Sequence, residues 1–360
     1  MMNICMIANG HDYVIELAIL IVSILQNSDE EDNFYFHIIT EYMDELDKNK
    51  LIQLKKIKKF NIKFYKPINV EKYTKWVEIA NGKIPKNWNH NVFYKLDIPN
   101  ILSDLDKVLY LDTDMIVLKS IKNIFSLDIS KYYVAVADNK SNIDKLRYDG
   151  LKLLAGYNSQ VYDAIQKTIN DFKFMMDKAL VNKEVDEWFN SGFMYMNLKK
   201  LRENIKDVDI DNYFKFIIDK DIVFGDEVFY NYFINKDKIL LVSRNYNAQL
   251  ALFIDDKYTE DIIIAHFTGC KLLNSNIYME CKNQILYKEY KYLTFTEWFK
   301  ENPFLYIDKF IIYENYKRNN ETEYKIKKLI DTLAWFIPIR KWRDNFRNKF
   351  NDNFIGEGKE

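Results

Sequence analysis

An apolar run at residues 108–111 leads directly into Asp112-Thr113-Asp114, and apolar residues resume at 115–118. A continuous apolar run of this kind is typical of a parallel strand that is covered on both faces. Two unpaired carboxylates at the end of a buried strand would cost several kcal/mol or would become protonated. This cost is small only if a cation or water reaches them, and a divalent ion that bridges to a phosphate is the simplest cation that fits.

The N-terminal part of the chain alternates between strand and helix patterns. Apolar runs at residues 3–8, 34–40 and 61–67 predict strands, and the helical segments 13–25 and 44–59 separate them. The βαβαβ order predicts a right-handed, doubly wound parallel sheet. Ligands of such sheets lie beyond the carboxyl ends of the strands. Both the polar turn at residues 9–12 and the Asp112/Asp114 pair fall at such ends, so the two features support each other.

Further along the chain the pattern continues to predict an α/β fold. Residues 133–137, 193–197 and 262–266 are predicted strands. Residues 139–187 are mixed polar and helical, which indicates a lid or an excursion on the acceptor side. Residues 275–334 are rich in Tyr and are predicted to be helical.

Composition excludes several classes of protein. The chain has 52 Lys+Arg against 53 Asp+Glu, which argues against nucleic-acid binding. Three cysteines are too few and too scattered for a disulfide framework, so a reducing cytoplasm is expected. The N-terminus lacks the pattern of a signal peptide. No stretch reaches the ~18 apolar residues of a transmembrane helix.

The C-terminal tail has a different character. Five of the residues from 340 to 349 are basic, and Trp342, Phe346 and Phe350 recur at a spacing of four. This pattern predicts a basic amphipathic helix. Such a helix either packs on the body with a solvated outer face or attaches reversibly to an anionic membrane surface, and the sequence leaves both open.

Four segments together carry a resemblance to a known family. They are KVLYLDTDMIVLKSI at 107–121, FNSGFMYMNL at 189–198, GDEVFYN at 225–231 and IAHFTGCK at 264–271. In this order and spacing the chain resembles glycosyltransferase family 8, which includes bacterial lipooligosaccharide galactosyltransferases and relatives of glycogenin. The resemblance implies a GT-A fold, with a Rossmann-like mixed central sheet flanked by helices. It covers roughly residues 2–272 and implies a catalytic domain at 1–272. The sequence pattern adds a helical region at 273–332 and the tail at 333–360.

The resemblance also implies a site. A divalent metal, Mn²⁺ or Mg²⁺, would be held by Asp112, Asp114 and His266, and two carboxylates with one imidazole suit such an ion. The implied contacts to the UDP-sugar donor come from Ala8, Asn9, Asp12, Lys95, Asp112, Thr113, Asp138, Asn190, Gly192, Gly269 and Lys271. Lys271 would place its ammonium on the departing diphosphate. On the nucleotide side, two positions depart from the family: Gly10 stands where an acidic residue contacts the base, and Lys95 stands where Arg is common.

Asp226 and Glu227 are the implied catalytic residues. Asp226 would orient the donor sugar. Glu227 replaces a Gln near the anomeric carbon, and Val228 replaces a second Asp. A carboxylate at Glu227 could stabilise an oxocarbenium-like transition state or attack it, or it could hold a hydrogen bond as Gln would.

The expected function is retaining, metal-dependent transfer of a hexose, galactose or glucose, from a UDP-sugar to a cell-surface glycan or lipopolysaccharide-type acceptor. The expected location is the cytoplasm, or the cytoplasmic face of the membrane if the tail attaches to it. Two alternatives stay open at this stage. One is a degenerate sugar-nucleotide-binding protein, motivated by Gly10 and Val228. The other is a haloacid-dehalogenase-like phosphatase, which fits poorly because Ile116 stands where Thr or Val is expected.

Overall fold

The computed structural model describes residues 1–80, 90–138, 188–219, 225–249, 261–267, 285, 288–289 and 291–306. The chain divides into two compact units, Met1–Pro303 and Phe304–Glu360, and the fold given below belongs to the first. The excursion at 139–187 and the tail at 333–360 lie outside the described residues. Their predicted roles, and the domain boundaries at 272 and 332, therefore stay predictions.

Strands and helices alternate along the described part of the chain. The strands are β1 (Met2–Ile7), β2 (Phe34–Ile39), β3 (Asn61–Tyr65), β4 (Lys107–Leu111), β5 (Met115–Val117), β6 (Val134–Ala137), β7 (Phe193–Asn197), β8 (Ile239–Val242), β9 (Ala248–Gln249) and β10 (Ile264–His266). The α-helices are α1 (His11–Gln26), α2 (Glu45–Gln53), α3 (Val70–Ala80), α4 (Tyr94–Ile101), α5 (Leu198–Asn204), α6 (Asp207–Asp219), α7 (Asp226–Phe233) and α8 (Glu297–Glu301).

The central sheet has seven strands among the described residues, in the order β3-β2-β1-β4-β7-β6-β8. Neighbours pair in parallel except at β7, which is antiparallel to both β4 and β6. The mixed α/β architecture is confirmed, whereas the expectation of parallel neighbours on both sides of β4 is only half right. The continuous apolar runs of β4 and β7 report burial on both faces, and burial does not by itself set strand direction.

The apolar residues that resume after Asp114 do not prolong β4. They form β5, which belongs to a second sheet of three strands in the order β5-β10-β9. Helix α1 holds β5 in place: Val117 N donates to Ser23 Oγ at 2.9 Å, and Asn27 Nδ2 donates to Val117 O at 3.0 Å. β10 runs antiparallel to β5 with His266 opposite Met115. A histidine from far along the chain is thereby placed beside Asp114.

Two helices begin or end differently from the sequence expectation. α1 begins at His11 with Gly10 as its N-cap, so His11 and Asp12 are helical and do not lie in the predicted turn. The helix predicted to reach Lys59 ends at Gln53 and continues only as a 3₁₀ turn, Leu54–Lys56. No helix among the described residues is both long and apolar enough to cross a bilayer.

Candidate functional site

The carboxyl ends of three central strands meet at one edge of the sheet. β1 and β4 pair in parallel with Cys5 opposite Tyr110, so Ala8 and Asp112 emerge side by side. Met194 of β7 pairs with Tyr110 on one side and with Val136 on the other. Asp138, which follows β6, therefore leaves the sheet at the same edge as Asp112.

Asp112, Asp114 and His266 form a compact cluster at this edge. His266 Nε2 lies 3.2 Å from Asp114 Oδ1 and 3.9 Å from Asp112 Oδ2. One ligand atom from each residue lies within 4.8 Å of the other two. Although burial disfavours a charged ring, the Asp114 carboxylate raises the pKa of His266, so the two aspartates favour positive charge at this point. Two hard oxygens and one imidazole nitrogen could hold a divalent metal.

Gly192 makes this cluster possible because it has no side chain. A Cβ on Gly192 would lie 2.4 Å from His266 Cε1 and 2.8 Å from Asp112 Oδ2. Gly192 O also accepts a hydrogen bond from Asp112 N at 2.9 Å, which anchors the acidic turn to β7. The missing side chain at Gly192 therefore leaves room for His266 and Asp112, two of the three candidate metal ligands.

Lys95 lies between two carboxylates, Asp112 of this cluster and Asp226. Its Nζ lies 2.7 Å from Asp226 Oδ2 and 3.0 Å from Asp112 Oδ1, over the ring of Tyr110. Although burial opposes it, the two aspartates raise the pKa of Lys95, so the ammonium stays charged. Tyr110 OH donates to Asp112 Oδ1 at 2.6 Å. One carboxylate oxygen of Asp112 is thus fixed by Lys95 and Tyr110, and the other faces His266.

The first two turns of α7 position Asp226 and Glu227. Asn231, one turn after Glu227, donates to Phe189 O at 2.8 Å and accepts from Phe189 N at 3.1 Å. Tyr230, one turn after Asp226, donates through its OH to Lys95 O at 2.8 Å. Residues four apart share a face of a helix. The hydrogen bonds of Tyr230 and Asn231 therefore fix the part of the helix that carries Asp226 and Glu227.

Glu227 has donors at both carboxylate oxygens. Trp188 Nε1 donates to Oε1 at 2.6 Å, and Asn190 Nδ2 donates to Oε2 at 2.9 Å. Burial raises the pKa of Glu227 to about 7, and the charge of Asp226 adds to the rise, while the Trp188 hydrogen bond and Lys95 oppose it. A partly buried carboxyl whose pKa is raised toward neutral is typical of a functional site.

The turn after β1 carries the predicted nucleotide contacts. Asn9 Oδ1 accepts from Glu41 N at 2.7 Å, which ties this turn to the one after β2. Gly10 has φ 86° and ψ 159°, a region that is essentially restricted to glycine. An acidic side chain at this position would strain the backbone, so the departure from the family at Gly10 is a property of the turn itself.

The structure thus brings together most of the predicted site residues. Those in mutual contact are Lys95, Asp112, Asp114, Asn190, Gly192, Asp226, Glu227 and His266. Ala8, Asn9 and Asp138 lie at the same sheet edge. Thr113, which stands between Asp112 and Asp114 in the sequence, is buried. Gly269, Lys271 and the side chain of Asp12 lie outside what is described.

Four residues that hydrogen-bond to the predicted site residues were not predicted from the sequence: Tyr110, Trp188, Ser191 and Asn247, which contacts His266 Nδ1. Ser191 Oγ donates to Asp226 Oδ2 at 2.6 Å, and its place inside the FNSG segment was the available signal. Tyr110 is a polar-tipped residue in an apolar strand, which indicates that its hydroxyl needs a partner. Trp188 and Asn247 carry no local signal.

Comparison with solved structures assigns the class of this fold. The chain aligns with the galactosyltransferase LgtC, solved with donor and acceptor sugar analogs, at a TM-score of 0.59 and 16% identity over 86% of this chain and 100% of that one. It aligns with the WbbM bifunctional glycosyltransferase at a TM-score of 0.55 and 16% identity, over 83% of this chain and 50% of that longer one. The protein has the GT-A fold.

The family follows from the sequence. The profile described as "Glycosyl transferase family 8" matches residues 4–271, so the chain belongs to glycosyltransferase family 8. A lipopolysaccharide 1,2-glucosyltransferase of Escherichia coli is 27% identical over 279 residues, which are 72% of this chain and 69% of that enzyme. The resemblance carried by the four segments is thereby confirmed, and the phosphatase alternative is set aside.

Proposed function

We propose that this protein is a retaining, metal-dependent hexosyltransferase. It would move galactose or glucose from a UDP-sugar to a cell-surface glycan or lipopolysaccharide-type acceptor, at the cytoplasmic face of a membrane. The observation that carries the proposal is the cluster of Asp112, Asp114 and His266 beside the fixed carboxylates Asp226 and Glu227. The named activities of the E. coli relative and of LgtC support a hexose donor and a surface-glycan acceptor.

The leaving-group side of the site is assigned to the acidic turn. Asp112, Asp114 and His266 would hold the Mn²⁺ or Mg²⁺ ion, which neutralises charge on the departing diphosphate and acts as a Lewis acid when it is bound. Lys95 and Tyr110 keep one oxygen of Asp112 occupied, so its other oxygen is presented toward His266. This preorganisation means that the ligand atoms need little rearrangement to bind.

The sugar side is assigned to the start of α7. Asp226 is held by Lys95 and by the Ser191 hydroxyl, which suits an orienting role toward donor hydroxyls. Glu227 is held by Trp188 and Asn190, and its ionised carboxylate would stabilise positive charge that develops at the anomeric carbon. This assignment does not require a covalent glycosyl intermediate.

Binding of UDP tests the proposal against the alternative of a non-catalytic protein. We expect the protein to bind UDP in calorimetry with Mn²⁺ present and to lose that binding in EDTA, because the diphosphate and the carboxylates repel each other without the ion. A screen of UDP-sugars for Mn²⁺-dependent hydrolysis should then select UDP-galactose or UDP-glucose. UDP binding that does not depend on the metal, or an absence of UDP binding, would favour a non-catalytic protein.

The pH dependence of turnover tests the role of Glu227. At saturating metal, kcat/KM should rise roughly tenfold per pH unit below the Glu227 pKa of about 7 and then level off, because the ionised carboxylate is the active form. Glu227→Gln should lose both activity and this acidic limb. The exposed Glu203→Gln change on α5 is the matched control. An unchanged acidic limb in Glu227→Gln would assign the ionisation to another group.

The same ionisation affects stability with a defined sign. The pKa of Glu227 is raised in the folded state, so the folded protein holds its proton more tightly than the unfolded chain does. Its contribution to the free energy of unfolding is therefore full at acidic pH and is lost as pH rises from about 4.5 to about 7. Glu227→Gln should remove this decline from a denaturation series across that range.

A further inference from the structure

Asn247 contacts the ring nitrogen of His266 that does not face the aspartates. It is the last residue of the 3₁₀ helix Arg244–Asn247 and directly precedes β9, which pairs in parallel with β10. Asn247 Oδ1 lies 2.8 Å from His266 Nδ1. The two residues are 1% and 2% exposed, so water cannot readily replace this contact.

A backbone amide determines the direction of the hydrogen bonds around Asn247. Gly192 N–H can only donate, and it lies 3.0 Å from Asn190 Oδ1, so the Asn190 atom at this point is the carbonyl oxygen. The same oxygen lies 2.9 Å from Asn247 Nδ2, which must therefore be the donor. Asn247 then presents its oxygen to His266, and Nδ1 of His266 has to carry a hydrogen.

We propose that Asn247 is a positioning residue that sets the tautomer and orientation of His266 for metal binding. With a hydrogen fixed on Nδ1, the nitrogen left for a metal is Nε2, which faces Asp114 Oδ1 at 3.2 Å. Imidazole binds a metal through an unprotonated nitrogen, and the hydrogen bond at the other nitrogen decides which one that is. This inference rests on the proposed metal site and adds a residue to it that does not touch the metal.

The same chain of amides reaches the sugar side of the site. Asn190 donates its amide hydrogen to Glu227 Oε2 at 2.9 Å, so the order of hydrogen bonds is His266 to Asn247, Asn247 to Asn190, and Asn190 to Glu227. The Gly192 amide donates to the oxygen of the Asn190 side chain and the Glu227 carboxylate accepts from its nitrogen, so the orientation of this amide is fixed. Asn247 thereby links the metal ligand to the carboxylate that is assigned to the anomeric centre.

Two substitutions at Asn247 separate its donor and acceptor functions. Asn247→Leu has a similar shape and removes both hydrogen bonds. Asn247→Asp keeps an acceptor for His266 Nδ1, loses the donor to Asn190 and adds a carboxylate charge. In Mn²⁺ titrations followed by electron paramagnetic resonance, we expect the Kd of Asn247→Leu to rise roughly 10- to 100-fold. Asn247→Asp should recover most of this loss. Asn245→Ala, in the same 3₁₀ helix, is the matched control and should bind as the wild type does.

Nitrogen NMR of the histidines gives a readout that does not depend on metal binding. The chain has four His, so the ring signals of His266 can be assigned with a His266→Gln reference. Nδ1 of His266 should carry a hydrogen both without metal and with diamagnetic Mg²⁺. A wild-type His266 protonated only on Nε2, or an Asn247→Leu variant with wild-type Mn²⁺ affinity, would overturn the inference. A wild type that binds no metal but has the expected tautomer would instead refute the proposed function and leave the positioning role of Asn247 intact.

Discussion

Asp112→Asn should lower metal-dependent turnover of the UDP-sugar by roughly 10²- to 10³-fold, the loss typical when one stabilising contact to a transition state is removed. The amide is neutral and a much poorer ligand for a hard divalent ion than a carboxylate is. Its oxygen can still accept from Tyr110 OH, and Lys95 keeps Asp226 as a counter-charge. The measurement is initial rate against Mn²⁺ concentration, which should show a raised metal requirement as well as a lower maximum.

The folded state of Asp112→Asn should survive, and that separates a lost ligand from a lost fold. Its thermal unfolding midpoint should stay within a few degrees of the wild type. Asp104→Asn is the matched control because Asp104 is an exposed carboxylate just before β4, at the opposite end of the strand. Equal loss of activity in Asp104→Asn, or undiminished turnover in Asp112→Asn, would remove the acidic turn from the proposed mechanism.

Lys95→Met should destabilise the protein by about 3–5 kcal/mol, the range expected when one partner of a buried ion pair is removed. The side chains of Lys95 and Asp226 are each 8% exposed, so the aspartate would be left buried with no cation beside it. Asp112 loses the same partner. Chemical denaturation at neutral pH measures the change.

A second substitution tests whether charge or packing causes that loss. Lys95→Met combined with Asp226→Asn should recover a large part of the stability, since the unpaired carboxylate is gone, while activity stays low. Lys75→Met on the exposed side of α3 is the surface control and should change stability by no more than about 0.5 kcal/mol. If the double variant is no more stable than Lys95→Met alone, packing of the lysine stem is the dominant cause.

The sequence predicted most of the fold because its signals are local. The strand 193–197 was placed at its observed bounds, and the first three strands were placed to within two residues. The errors lie where local pattern cannot decide. An apolar run does not say whether its neighbour is parallel, and so β7 was not foreseen as antiparallel. The helix predicted to extend to Lys59 ends at Gln53 and continues only as a 3₁₀ turn.

The candidate site divides in the same way. Asp112 and Asp114 were identified from the sequence because two unpaired carboxylates at the end of a buried strand are costly, whatever fold surrounds them. His266, Lys95 and Glu227 entered through resemblance to the family, and only the structure shows why they meet. His266 lies beside the acidic turn because β10 pairs with β5. Lys95 lies between Asp226 and Asp112 and forms an ion pair with each of them.

The sequence by itself determined the α/β class, the family and the acidic turn, because apolar periodicity and short motifs are read along the chain. The tertiary structure alone decided which partners these residues have. The glycine that admits the histidine, the lysine between two aspartates and the amides of Asn190 and Asn247 each depend on distances between segments far apart in sequence. Hydrogen-bond direction is a property of such three-dimensional neighbours, so the positioning role of Asn247 has no signature in the sequence.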